Sequence, residues 1–215
     1  MMPQGTVVVA TRNKGKVREF AHAFAPLGLT VKSMFDYDGL PAIVEDGSTF
    51  AENARIKAKT VAEVLGIAVL ADDSGLEVDQ LGGAPGVYSA RYAGEGADDA
   101  ANNAKLLREL GRGEMAAKQP AGLPEGVRAL SAGRFVCALA LYDPSSGSFI
   151  EAEGHAEGWI VDRPLGEGGF GYDPLFWVAA FGRTMGQLST DEKHGISHRG
   201  EALDKLIATM KRAAE

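Results

Sequence analysis

The chain has little cysteine, no long apolar run and no excess of positive charge, and each shortage removes a class of protein. Its 215 residues contain one cysteine, Cys137, which excludes an internal disulfide framework and any multi-cysteine zinc site. That cysteine lies in the apolar run Phe135-Val136-Cys137-Ala138-Leu139-Ala140-Leu141, where a thiol reads as buried filling rather than as a nucleophile. A lone thiol points to a reducing, cytoplasmic compartment. Residues Met1-Met2-Pro3-Gln4-Gly5 carry no basic stretch, and the apolar run after them is only strand-length. Neither a signal peptide nor a membrane span is expected. The formal net charge of −7 has the wrong sign for gripping long nucleic acid by phosphate neutralisation. It still permits a small phosphorylated ligand held by a few local Lys and Arg residues. The histidines His22, His155, His194 and His198 lack metal-ligand spacing, and no G-x-x-x-x-G-K-[ST] loop occurs. His22 is expected on a helix surface.

What is present is an alternation of strand and helix patterns. Thr6-Val7-Val8-Val9-Ala10 is a β-branched run, and Val17, Phe20 and Phe24 then recur at helical spacing until Pro26 and Gly28. A second strand is expected over 29–34, and a helix over 49–66 with Ala54, Ala58, Val61 and Leu65 on one face. Residues 67–70 read as a buried strand ending at Asp72 and Asp73, with 76–78 a strand beyond that turn. A helix is expected over 98–110, a flexible Pro/Gly-rich insert over 111–133, an antiparallel pair over 134–142 and 149–160, and a closing amphipathic helix through Leu203, Leu206, Ile207 and Met210. One α/β domain with a mixed sheet, spanning 1–215, accounts for the pattern.

Four segments carry chemistry. In Ala71-Asp72-Asp73-Ser74-Gly75 the alternation of a strand points the two carboxylates in different directions, and such a group suits a hard cation such as magnesium with its phosphates. Thr11-Arg12-Asn13-Lys14-Gly15-Lys16 joins a strand to a helix start, where backbone N–H groups and positive charge favour an anion. Ordinary helix capping is the competing reading there. Glu45 could share a metal with Asp73, and Asn53 and Lys57 fall one turn apart on the next helix. The run Gly166-Glu167-Gly168-Gly169-Phe170-Gly171-Tyr172-Asp173-Pro174 offers close backbone approach and flat rings for a nucleobase. Lys193, His198 and Arg199 supply donors suited to a phosphate or a base carbonyl, and Ser189 with Glu192 has capping-box spacing.

Taken with Thr49-Phe50-Ala51-Glu52-Asn53-Ala54 and Gly83-Ala84-Pro85-Gly86-Val87-Tyr88-Ser89-Ala90-Arg91-Tyr92, these motifs resemble the inosine triphosphate pyrophosphatases, also called Ham1-like, over nearly the whole chain. The resemblance implies a two-lobed α/β fold with a long central mixed sheet, a nucleotide cleft between lobes and a homodimer. It also implies Mg2+-dependent hydrolysis of ITP, dITP and XTP to the monophosphate and pyrophosphate, with no nucleic acid or membrane partner. By resemblance Asp73 is the proton acceptor, Glu45 and Asp73 serve the metal, and Thr11, Arg12, Asn13, Lys14, Gly15 and Lys16 hold the triphosphate. Lys57 and Ser74 contact substrate; Phe170, Gly171, Tyr172 and Asp173 bracket the base; Lys193, His198 and Arg199 read it. The insert over 111–133 is longer than the family pattern. Two rivals stay open: a relative acting on modified pyrimidine triphosphates, and a nucleotide-binding regulatory module without turnover.

Overall fold

The computed structural model describes residues 5–111 and 118–213. Strand β1 (Thr6–Val9) buries its valines and passes into α1 (Lys14–Phe24), whose N-cap is Asn13. A 3-10 turn over Ala25–Leu27 ends at Gly28, whose positive φ of 69° no β-carbon-bearing residue adopts cheaply. Strand β2 (Thr30–Ser33) follows, then α2 (Phe50–Leu65). Helix α2 opens with a reciprocal box in which Thr49 accepts from Glu52 N while the Glu52 carboxylate accepts from Thr49 N. The two helices supply the crossovers that a parallel sheet needs, and β1 pairs in parallel with both β2 and β3 (Val69–Val78). After α3 (Asp99–Leu110) come β4 (Ala129–Asp143), β5 (Ser148–Val161), β6 (Phe176–Val178), β7 (Arg183–Thr184), α4 (Thr190–His194) and α5 (His198–Ala213). The strands form one mixed sheet in the order β2-β1-β3-β4-β5-β6-β7. β5, β6 and β7 pair antiparallel, and the four residues between β4 and β5 are too few for a parallel crossover.

Two expectations need correction. The strand does not stop at the aspartates: β3 runs unbroken from Val69 to Val78, because both carboxylates are neutralised where they stand. Nor is 129–133 loop. These residues begin β4, with Ala129, Leu130 and Ser131 buried. Gly133, which reads as a turn residue, is a close approach instead: a β-carbon there would lie 2.7 Å from the Glu77 carbonyl oxygen. Of the expected insert, 112–117 lies outside the described residues.

The chain divides into two compact units, one of residues 1–74, 137–154 and 194–215, the other of 75–136 and 155–193. The core of the first gathers Val7, Val9, Phe20, Phe24, Leu70, Cys137, Leu139, Leu141, Ala202, Leu203 and Leu206. In the second, Leu76, Val78, Leu106, Ile160, Leu175, Phe176 and Trp177 are all fully buried, and the Phe135 and Phe176 rings lie 4.5 Å apart. In the first unit, Gly154 of β5 lets the opening turn of α5 lie directly on the strand; a β-carbon there would collide with the His198 carbonyl oxygen and the Ala202 nitrogen.

Candidate active site

Asp72 and Asp73 point to opposite sides of β3, as alternation along a strand requires. Asp73 meets α2: its Oδ1 accepts from Lys57 Nζ at 2.6 Å and its Oδ2 from Asn53 Nδ2 at 3.3 Å. Lys57 Nζ also reaches Glu45 Oε2 at 2.9 Å. Glu45 sits on the loop before α2, and that loop is pinned where Gly47 N donates to Asn53 Oδ1 at 2.9 Å. Only glycine fits at 47, since a β-carbon would stand 2.7 Å from that same oxygen. One face of α2 therefore carries Asn53 and Lys57, a turn apart, both buried and both on Asp73.

The electrostatics follow from that burial. Burial pushes the Asp73 carboxyl above its ordinary value by more than the Lys57 and Lys16 ammonium groups pull it down. Glu45 goes the other way: burial would raise it, but Lys57 holds it below its ordinary value. For Lys57, burial favours the neutral form, yet Asp73 and Glu45 keep the ammonium charged.

Asp72 anchors a second network, linked to the first through the charge of Lys16. Its Oδ2 accepts from Arg199 Nε at 3.1 Å and from Arg199 Nη2 at 3.0 Å, and Lys16 Nζ closes on Oδ1. Arg199 also donates to Ser74 Oγ at 2.9 Å and pairs with Glu19 on α1. Burial would raise the Asp72 carboxyl, but Arg199 and then Lys16 drive it far below the usual carboxylate range. The Cys137 thiol approaches Asp72 Oδ2 at 3.4 Å and is raised by burial first and by that carboxylate second.

Several of the expected site residues are held by partners within the protein. Arg199 turns its guanidinium to Asp72, Glu19 and Ser74, and so ties the middle of β3 to α1. The first turn of α1 is capped by its own Asn13, whose Oδ1 accepts from Gly15 N at 2.8 Å and Lys16 N at 3.1 Å. Arg12 and Lys14 are exposed, Lys16 is half-buried, and Thr11 is buried with its hydroxyl accepting from Asn13 N. His198 is buried at the first turn of α5, where Ser197 Oγ accepts from Gly200 N.

The glycine-rich segment lies in the second unit. Phe170 is half-buried, whereas the Tyr172 ring is core and its hydroxyl donates to the Ser89 carbonyl at 2.9 Å. Asp173 accepts from Lys193 Nζ at 2.7 Å and from Phe170 N at 3.1 Å. Gly169 leaves the space for that pair, since a β-carbon there would collide with both partners. The backbone at Gly171 is held by α3, its N–H donating to Asp99 and its carbonyl accepting from Asn103. Tyr172, Asp173 and Lys193 are thus engaged within the second unit, and the Phe170 ring is left half-buried.

Sequence reading did not include Glu19, Gly47 or Asp72 among the site residues. Glu19 pairs with Arg199, 180 residues away in sequence, so no local pattern marks it, whereas Asn53, four residues before Lys57, shares its helix face. Gly47 left no signal, because its partner atom is fixed only once the loop folds back.

Among the described residues no group of three or more His, Cys, Asp or Glu side chains is arranged to hold a metal by itself. Glu45 and Asp73 nonetheless offer oxygen to a common cationic point, now taken by Lys57 Nζ. Two carboxylates suit magnesium, which keeps waters and takes its remaining oxygens from substrate phosphates.

A mixed α/β sheet with a buried acid–lysine cluster midway along a central strand defines the class. The chain belongs to the Ham1 family, whose model matches residues 7–209. It is 50% identical over 200 residues to a dITP/XTP pyrophosphatase of Geobacillus kaustophilus, covering 93% of this chain and 91% of that protein. It is also 50% identical over 208 residues to the dITP/XTP pyrophosphatase of Bacillus licheniformis, covering 96% and 98%. The fold matches a Ham1 protein from Coxiella burnetii with a TM-score of 0.81 at 36% identity, over 99% of this chain and 100% of that one. The Staphylococcus aureus Ham1 protein matches with a TM-score of 0.78 at 38% identity, over 97% and 99%.

Proposed function

We propose that this protein hydrolyses non-standard purine nucleoside triphosphates (ITP, dITP and XTP) to the monophosphate and pyrophosphate, by water attack at the α-phosphorus. The observation that carries the mechanism is Asp73, a buried carboxylate whose proton affinity is raised above the ordinary value yet whose position is fixed by Lys57 and Asn53. Such a group can take the proton of the attacking water and hold it while the anhydride bond breaks. Lys16, paired with Asp72, also acts on Asp73 through its charge, and Arg12 and Lys14 present exposed charge at the start of the same helix, a suitable cradle for triphosphate oxygens. Mg2+, held by Glu45 and Asp73 together with the phosphates, would neutralise charge developing on the pyrophosphate. His198, buried at the start of α5, is the proposed reader of the 6-keto oxygen that hypoxanthine and xanthine share. A donor there would be left unpaired by the adenine amine, and polar readout of this kind discriminates by about 10⁴-fold or more. Phe170 is the ring proposed for stacking. We also propose a cytoplasmic homodimer, checked by light scattering on the purified chain.

The test is product analysis with ITP, XTP, dITP, ATP and a methylated pyrimidine triphosphate, each with and without Mg2+. IMP and pyrophosphate from ITP, dependent on Mg2+, are expected, with little turnover of ATP. IDP and phosphate, or preference for the pyrimidine, would overturn the reading.

A further inference from the structure

We propose that Lys57 is an internal stand-in for the metal: in the nucleotide-free protein its ammonium holds Glu45 and Asp73 together, closes that pair to a bare divalent cation, and yields only to a cation that arrives on a triphosphate. This rests on the assignment of Glu45 and Asp73 as the metal's ligands.

The geometry is that of a cation site already filled. Nζ lies 2.6 Å from Asp73 Oδ1 and 2.9 Å from Glu45 Oε2, bridging one oxygen of each carboxylate. The lysine is 7% exposed and Asp73 is 7% exposed, so neither charge is relieved much by water. Both carboxylates are steered to this point independently of any metal: Asp73 by Asn53, and the Glu45 loop by the Gly47–Asn53 bond. The pair is therefore assembled in advance, with the lysine as its counter-ion.

Charge then dictates the order of events. Two carboxylates and one ammonium leave the cluster with one net negative charge, which is tolerable at this depth. Adding a divalent ion beside Lys57 would reverse the sign and leave a buried net positive charge, which is costly. Expelling the lysine instead would leave an ammonium without a partner. Either change becomes favourable only when an anion comes in with the cation, and a triphosphate is that anion. Magnesium also gives up its waters reluctantly, and among the described residues no third carboxylate or imidazole completes a protein-only cage. Lys57 thereby makes the metal and the nucleotide bind as one unit, and the released ammonium becomes a donor for the phosphates.

The test is a titration with Mn2+ followed by electron paramagnetic resonance in the absence of nucleotide. The native chain should leave the free Mn2+ signal undiminished. Lys57→Met should bind one Mn2+ per chain, about tenfold tighter or more, and Lys57→Met with Glu45→Gln should lose that gain. Thermal unfolding gives a second readout: Lys57→Met should melt lower and be raised by Mg2+ alone, whereas the native chain should not move. A variant too unstable to fold without metal still reports through that rescue, and Lys57→Gln repeats the measurement with a polar replacement. Native protein binding Mn2+ as tightly as Lys57→Met, or a variant gaining neither affinity nor rescue, would overturn the proposal. A last arm separates this from the underlying assignment, using Mn2+ with a non-hydrolysable α,β-methylene analogue of ITP. If Glu45→Gln weakens Mn2+ in that complex while Lys57→Met gains nothing, only the role of Lys57 falls. If Glu45→Gln changes nothing there, the metal assignment falls with it.

Discussion

Replacing Asp73 by Asn keeps the shape of the side chain but removes the carboxylate charge and with it the basic oxygen that would accept a proton. Turnover of ITP should fall by about 10²–10⁴-fold, while calorimetry still detects nucleotide binding. Unchanged turnover would take Asp73 out of the chemistry. Its neighbour Asp72 calls for a different readout, because it is fully buried in an ion-pair network with Arg199 and Lys16. Asp72→Asn should cost about 3–5 kcal/mol of stability at neutral pH, the usual loss when one member of a buried pair is removed, measured by urea unfolding. Since the folded carboxyl is depressed, its stabilisation is present above the unfolded value of about 4 and drains away as pH falls below it. The gap between native and variant stability should therefore narrow below about pH 4; a constant gap would mean that Asp72 does not titrate on unfolding. The divergence of the two aspartates was legible from alternation alone. Their employers were not, since Arg199 lies 127 residues from Asp72 in sequence, and no local pattern encodes a contact of that range.

At the scale of elements, helices were the most legible part, because caps and periodicity are local. The observed Phe50–Leu65 and Asp99–Leu110 sit within a residue of the expected spans, and the Ser189–Glu192 box opens α4 as its spacing implied. Strands were harder wherever polar residues occupied them. Asp72-Asp73-Ser74-Gly75 reads as a turn until Lys16, Lys57 and Arg199 neutralise the charges, and Ser131-Ala132-Gly133 reads as loop until the Glu77 backbone lies against Gly133. Helix α2 delivers Asn53 and Lys57 together, so its start matters to the site. Thr49→Ala removes the hydroxyl that accepts from Glu52 N and should cost about 1 kcal/mol, read as a lowered urea midpoint. No change in midpoint would mean that the remaining Glu52 bonds fix the helix start by themselves. Gly154→Ala should do more harm than its size suggests, since it would push the opening turn of α5, with His198 and Arg199, off the strand.

Across the whole molecule the chain passes back and forth between its two units, so that neither is a continuous stretch of sequence. The first unit is not complete until α5 adds Ala202, Leu203 and Leu206 to a core begun by Val7 and Val9. Native protein should therefore unfold in a single cooperative step, with fluorescence and circular dichroism transitions coinciding. Two resolved transitions would show that the units melt separately. The lone thiol supplies the means to watch this without a label of foreign origin. Cys137 is sealed at 0% exposure and its ionisation is suppressed, so a thiol reagent reaches it only when the first unit opens. Its modification rate is a clock for spontaneous opening, and nucleotide with Mg2+ should slow that clock in proportion to occupancy. A protein with several cysteines would blur such a record; this one keeps time with a single hand.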